Sequence, residues 1–240
     1  ADSGDQTTWT ATYTPTAEVS DTTNVLSIGT SYTDTAGNAG AVGSSANYII
    51  DGVDPTISSI TNSDTAMITG QTSTLTIVFS EAVAAFASSA DVTCPAGSLA
   101  TMTTSDQITW AGVFTPTADT EDAVNTCDVA TSYTDTAGNA GPAGSSANYV
   151  VETLAPTISS ITMSDTTLIE GETATLTIVF SEAVAGFVSN DDVSCASGTL
   201  GVMAITSGST WAGTFTPTAE TTALTNDCDV GTGYTDTAGN

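Results

Sequence analysis

The sequence predicts an all-β protein built from tandem β-sandwich domains. Three observations carry that reading: phrases that return at a fixed spacing of 101 residues, apolar residues that alternate with polar ones inside each run, and turn residues that punctuate the runs. No convincing amphipathic helix competes with them.

The repeat comes first because it sets the size of the folding unit. TWTATYTPTAE from Thr8 returns as TWAGVFTPTAD from Thr109 and as TWAGTFTPTAE from Thr210. YTDTAGN begins at Tyr32, Tyr133 and Tyr234, TLTIVFSEAV at Thr74 and Thr175, and DPTISSIT from Asp54 matches APTISSIT from Ala155. Each neighbouring pair stands 101 residues apart, so no insertion or deletion separates the copies. The expected organisation is the C-terminal half of one unit over 1–51, a complete unit over 52–152, and a unit lacking its last strand over 153–240. Two accounts of the broken end units stand open. The chain continues in both directions, which is favoured, or strands added from neighbouring chains complete them.

Within a unit the apolar residues follow the two-residue period of a half-buried strand. In the run from Thr74 to Ser80, Leu75, Ile77 and Phe79 share one face. In the run from Ile108 to Phe114, Ile108, Trp110 and Phe114 share another, with Gly112 beneath them. Cys127, Val129 and Tyr133 point the same way in the run that follows. Asn62-Ser63-Asp64, Pro95-Ala96-Gly97, Pro116 and Ala137-Gly138-Asn139 supply the turns. Roughly seven short strands in about 100 residues is the pattern of a sandwich. The Ser-Glu-Ala-Val-Ala stretch after Phe79 is a candidate for one helical turn.

TLTIVFSEAV, then DVT or DVS with a Gly-Ser-Leu or Gly-Thr-Leu turn, then TWAGTFTPTA, YTDTAGN and a linker into APT together carry a resemblance. The ordered set resembles the bacterial-type immunoglobulin-like repeats of giant secreted surface proteins, over essentially the whole chain. The resemblance implies tandem Ig-like sandwiches serving as stalks, adhesins, biofilm components or filament walls, a range too wide to fix a role from fold alone. The pair of cysteines in each unit is a departure from many such repeats.

Charge excludes several function classes. The chain carries 27 Asp and Glu, no Lys, Arg or His, and a formal charge of −27. Without histidine there is no imidazole base and no His-containing metal site; without lysine there is no Schiff base and no phosphate-loop lysine. Nucleic acid is excluded as a partner, since phosphate backbones are bound through Lys and Arg. Cations are the partners this charge favours. An apolar fraction of 40% argues for a folded chain despite the charge. No apolar run approaches the roughly 18 residues of a membrane span, and ADSGDQTTWT at the N-terminus lacks the regions of a signal peptide.

The cysteines recur as pairs. Cys94 shares a face with Val92, and Cys127 with Val129 and Tyr133, so both are expected to point inward. The predicted bridges are Cys94 to Cys127 and Cys195 to Cys228, worth about 3.8 kcal/mol each in the chain-entropy picture. Buried free thiols are the alternative; a redox pair lacks both C-x-x-C spacing and a basic neighbour. Repeated disulfides place the chain outside the cell or on its surface.

Three carboxylate constellations are candidates for chemistry. Asp51 and Asp54 lie in the linker Asp-Gly-Val-Asp-Pro, with Glu152 in the next linker. Asp34 and Asn38 bound a loop that returns as Asp135 to Asn139 and as Asp236 to Asn240. Glu81 and Glu182 each follow a hydrophobic strand. Calcium takes six to eight oxygens, roughly what such groups offer when they converge. The candidate ligands are Asp34, Asn38, Asp51, Asp54, Asp135, Asn139 and Glu152, and in the family resembled, calcium at such junctions can stiffen a rod. The alternative is a plain Asx-turn with Gly or Asn in the left-handed region. The replacement of Asp54 by Ala155 in the next copy weakens its case as a ligand. Scattered acids duplicated in every unit do not suggest an enzyme.

The 50 Thr and 27 Ser favour strands and offer sites for O-linked sugar, while no Asn has Ser or Thr two positions on. The expected function is a structural segment of an extracellular filament or surface stalk, without catalysis. Its partners would be copies of itself, joined head to tail, laterally or by strand exchange. The alternative is a spacer or glycan-contacting region of an adhesin, which predicts exposed aromatic clusters. Trp9, Trp110, Trp211 and the repeated tyrosines instead fit core parity.

Overall fold

The computed structural model describes Gly4 and residues 6–220 and 222–240. Residues 1–3 and 5, part of the N-terminal segment read above for a leader, and Thr221 lie outside the described residues.

The middle unit is a complete sandwich. Its main sheet runs Gly97–Leu99, Thr109–Pro116, Ser73–Phe79, Ile57–Asn62, each antiparallel to its neighbour. The register sets Trp110 opposite Ile77 and Phe114 opposite Ser73. Facing strands are Glu121–Asn125, Tyr149–Glu152 and Ala66–Met67, the last pair parallel. Gly144–Ser145, Asp128–Val129 and Val92–Thr93 form a further short ladder.

The alternation read from the sequence is the alternation of burial. Leu75, Ile77 and Phe79 are buried, as are Phe114, Cys127, Val129, Tyr133, Tyr149 and Val151. Each large apolar side chain so removed from water stabilises by roughly 1.5–3 kcal/mol. Phe86 packs edge-on against Phe79 and Tyr133 at centroid separations of 5.4 and 5.7 Å, and Phe79 meets Tyr133 tilted at 5.0 Å. Tyr133 also lies directly on Gly141, where an added Cβ would fall 2.0 Å from its ring, so no larger residue fits there.

The helical turn lies elsewhere than expected. Val83–Ala84, in the stretch after Phe79, pairs antiparallel with Thr134–Asp135. The turn occupies Ser88–Asp91, where the buried Asp91 carboxylate accepts from the Ala87 N–H at 2.6 Å and from the Ser132 hydroxyl. A strand pairing available through tertiary contact outweighs the local helical preference.

The third unit repeats this plan: Ile158–Met163, Ala174–Phe180, Thr210–Pro217 and Gly198–Leu200 form its main sheet, around a core of Leu176, Ile178 and Phe180. Among the described residues of the first unit, Ser20–Asn24 pairs with Tyr48–Asp51, Ser27–Ile28 with Gly43–Ser44, and Thr33 bridges Ala39. Trp9 is 71% exposed and Tyr32 about half exposed, although core parity put both inside, and Tyr13 and Leu26, at positions equivalent to the buried Phe114 and Cys127, are about half exposed as well. The correction has a simple cause. Their equivalents Phe114, Cys127 and Tyr133 are covered by strands, such as Ser73–Phe79, that have no counterpart among the described residues of the first unit.

Candidate functional site at the unit junction

Each linker meets the Asp-Thr-Ala-Gly-Asn loop of the unit that follows it, and this is where the carboxylates converge. Asp135 ends its short strand and starts the loop. One of its oxygens accepts from the main-chain N–H groups of Ala137, Gly138 and Asn139 at 2.7 to 2.9 Å, and the other accepts from Asn139 Nδ2 at 2.7 Å. Gly138 takes φ of 105°, the left-handed region the turn reading requires. Burial alone would raise the Asp135 pKa, but these donors outweigh it and hold it below the ordinary value.

Asn139 then reads the linker. Its amide donates to the carbonyl oxygens of Asp51 and Val53, both at 3.2 Å. Asp51 closes the last strand of the preceding unit, and the linker is pinned again where Ser80 and Thr56 exchange two 2.8 Å hydrogen bonds. That clamp fixes the chain one residue before Glu81. The pairing of Asp135 with Val83 brings Glu81 to the loop from the other side. One carboxylate oxygen from each of Asp51, Glu81 and Asp135 lies within 4.8 Å of the other two. Burial, then the charges of Asp135 and Asp51, push the Glu81 pKa up.

At the second junction the equivalent carboxylates are Glu152, Glu182 and Asp236, which interact with one another without forming a second such cluster among the described residues. Asn240 Nδ2 donates to the Glu152 carbonyl at 2.9 Å and to its carboxylate at 2.6 Å. Burial raises Glu152, and a hydrogen bond shared with Asp236 raises it further; Glu182 is raised by burial and by the charge of Asp236. Asp236 is buried, yet the Asn240 side chain and main chain bring it down to about 2. Here the units also touch directly. The Thr69 N–H donates to Asn240 Oδ1 at 2.8 Å, and the Thr69 hydroxyl donates to the Thr153 carbonyl at 3.2 Å.

Three constellations that the sequence presents separately are thus one site. The structure brings together Asp51, Asp135 and Asn139 of the sequence candidates and sets Glu152 at the equivalent place. Glu81 completes the trio at the first junction, and Glu182 and Asp236 are the counterparts of Glu81 and Asp135 at the second; their 101-residue offsets were the available signal. Asp54 does not join: it is exposed and outside the cluster. Asp34 and Asn38 form an exposed, self-contained turn, with Asp34 accepting from Ala36, from the Asn38 main chain and from Asn38 Nδ2.

The donor set is all oxygen, lacks histidine, and has no Lys or Arg in the chain to neutralise it. It fits a hard cation such as calcium and does not fit zinc. The disulfides stand away from it, in the sandwich. They join Cys94 to Cys127 and Cys195 to Cys228, as face parity predicted, at Cα separations of 4.3 and 4.1 Å.

The profile of the bacterial Ig-like domain family matches the chain three times, over residues 1–50, 51–151 and 152–240. The chain belongs to that family. No curated protein and no solved structure matches it. Bacterial Ig-like domains of this kind are non-catalytic repeats typical of surface proteins. The disulfides point the same way, to a secreted or surface protein. Among the described residues no helix is long and apolar enough to cross a membrane.

Proposed function

We propose that these tandem Ig-like domains form a load-bearing segment of an extracellular filament or surface stalk. The observation that supports this most is the junction. The same Asn clamps the linker in both copies, through Asn139 on Asp51 and Val53 and through Asn240 on Glu152. Units of one fold and one length, joined through the same Asn, add length in equal steps, so repetition sets the reach and the junction sets the stiffness. No chemistry is asked of the carboxylates. The trio at the first junction, Asp51, Glu81 and Asp135, binds calcium, which removes their mutual repulsion and fastens the linker to the following unit.

Glycan contact by an adhesin surface has less support. The aromatic residues of the middle and third units pair with one another, as Phe86 does with Trp110 and Phe187 with Trp211, and do not form a free platform.

Electron microscopy of the native material, repeated in excess chelator, tests the reading. Extended rods with a regular axial repeat are expected, becoming limp when calcium is withdrawn. Compact particles without an axial repeat would contradict the rod, and rods of unchanged stiffness in chelator would remove calcium from it.

A further inference from the structure

The two faces of the middle unit differ in charge. Its main sheet is built from Ile57–Asn62, Ser73–Phe79, Thr109–Pro116 and Gly97–Leu99, and none of these strands contains an acidic residue. The opposite sheet carries Glu121, Asp122 and Glu152 in its strands, and the short ladder carries Asp128. In a chain of formal charge −27 without a single Lys, Arg or His, the outward side of the main sheet is thus free of carboxylates.

Strand parity decides what that side presents. Leu75, Ile77, Phe79 and Phe114 fill the core, so their neighbours along the strands point out. Thr61, Thr76 and Ala111 stand opposite one another in a row across three strands, and Thr74 and Val113 form the row beside it. Val113 is 46% exposed. The third unit repeats the arrangement, with Thr162, Thr177 and Ala212 in one row and Thr175 and Thr214 in the next, again in strands without an acid. In both units the strands that carry these rows are present and paired.

We propose that this outward sheet face docks a second copy of the chain side by side, sheet against sheet. Charge selects the occupant. A cationic partner would be drawn to the carboxylates of the other surfaces, whereas a second copy is repelled by those surfaces and meets no such charge here. Facing sheets pack about 10 Å apart. That spacing buries the methyl groups of Thr, Val and Ala and lets the hydroxyls bond across the gap, directly or through water. Four strands about 4.8 Å apart and about six residues long make a face of roughly 400 Å², half of the about 800 Å² per partner typical of a stable complex. One unit alone therefore holds a partner weakly, and successive units acting together reach the required area. The contact is lateral, so it adds bundling to the proposed rod and does not rest on its junctions.

Sedimentation velocity of the 240-residue chain over a concentration series tests this, with chelator present so that calcium cannot bridge carboxylates. Expected is reversible association that strengthens when salt is raised from about 0.1 to about 1 M, because salt screens the repulsion between the remaining charges. Val113→Asp combined with Thr214→Asp puts a carboxylate at the same place in each sheet and should weaken association by about tenfold or more. Thr74→Asp combined with Thr175→Asp is a second such pair, and all four positions are exposed, so the sandwiches stay folded. Val124→Asp, at a 79% exposed position of the opposite sheet, should leave association unchanged. A chain that stays monomeric to about millimolar concentration in high salt overturns the proposal and leaves the face to an uncharged partner such as a polysaccharide. Association that both Asp pairs leave intact, or that Val124→Asp weakens equally, also overturns it. An extended monomer would leave the rod standing and remove only its lateral contact.

Discussion

The side-chain amide of Asn139 lies 3.2 Å from the carbonyl oxygen of Asp51, although the two residues are 88 apart in sequence. One side chain thus ties the end of one sandwich to a loop of the next, while also holding the Asp135 carboxylate. Asn139→Ala removes three hydrogen bonds at once. Each is worth about 0.5–1.5 kcal/mol net, so urea denaturation should show the middle unit losing roughly 1.5–4.5 kcal/mol. The disulfide and core are untouched, so the unit should still fold cooperatively; a loss below about 0.5 kcal/mol would contradict the clamp.

Glu81 sits where two other carboxylates already repel it. Glu81→Gln removes one charge from the trio, so in chelator the melting temperature should hold or rise. In millimolar calcium the wild type should gain stability and Glu81→Gln should gain markedly less. An equal calcium response in both proteins would take Glu81 out of the site.

The pH response has two opposed parts. Glu81, Glu152 and Glu182 have raised pKa values in the fold. The folded state therefore binds protons more tightly than the unfolded chain, and their contribution grows as pH falls from 7 toward the ordinary glutamate value of about 4.3. Asp135 and Asp236 are lowered, Asp236 to about 2. Their contribution is complete above the ordinary aspartate value of about 3.9 and is lost as pH falls through the lowered values. Thermal melts in chelator should accordingly peak in mild acid and drop steeply toward pH 2. A curve that falls steadily from pH 7 downward would contradict this assignment.

Cys94 and Cys127 close a loop with a sequence separation of 33. Replacing both by Ser should cost about 3–4 kcal/mol by lost chain constraint. Reductant should lower the melting point of the wild type and leave the double variant unchanged. No difference between oxidised and reduced wild type would rule out a structural bridge.

Much of the sandwich was legible because burial in a strand follows parity. Leu75, Ile77 and Phe79 on one side, and Cys127, Val129 and Tyr133 on the other, could be placed without knowing their partners. The cysteine pairing followed from the same rule. The site was legible only in pieces. Asp51, Glu81 and Asp135 span most of a unit, and what unites them is the pairing of Val83 with Asp135, a long-range register that no local pattern encodes. The contact of Thr69 with Asn240 was beyond reach for the same reason, since it joins loops of two different units. Parity also misled in the first unit, where Trp9 and Tyr32 have the right face and no opposing sheet among the described residues.

In the rod we propose, the junction residues hold successive units in an extended series and calcium stiffens it. Small-angle X-ray scattering of the 240-residue chain, in calcium and then in chelator, tests it most directly. An elongated particle in calcium whose distance distribution broadens and shortens on chelation is the predicted result. A compact particle with units folded against one another, identical in both conditions, would contradict it.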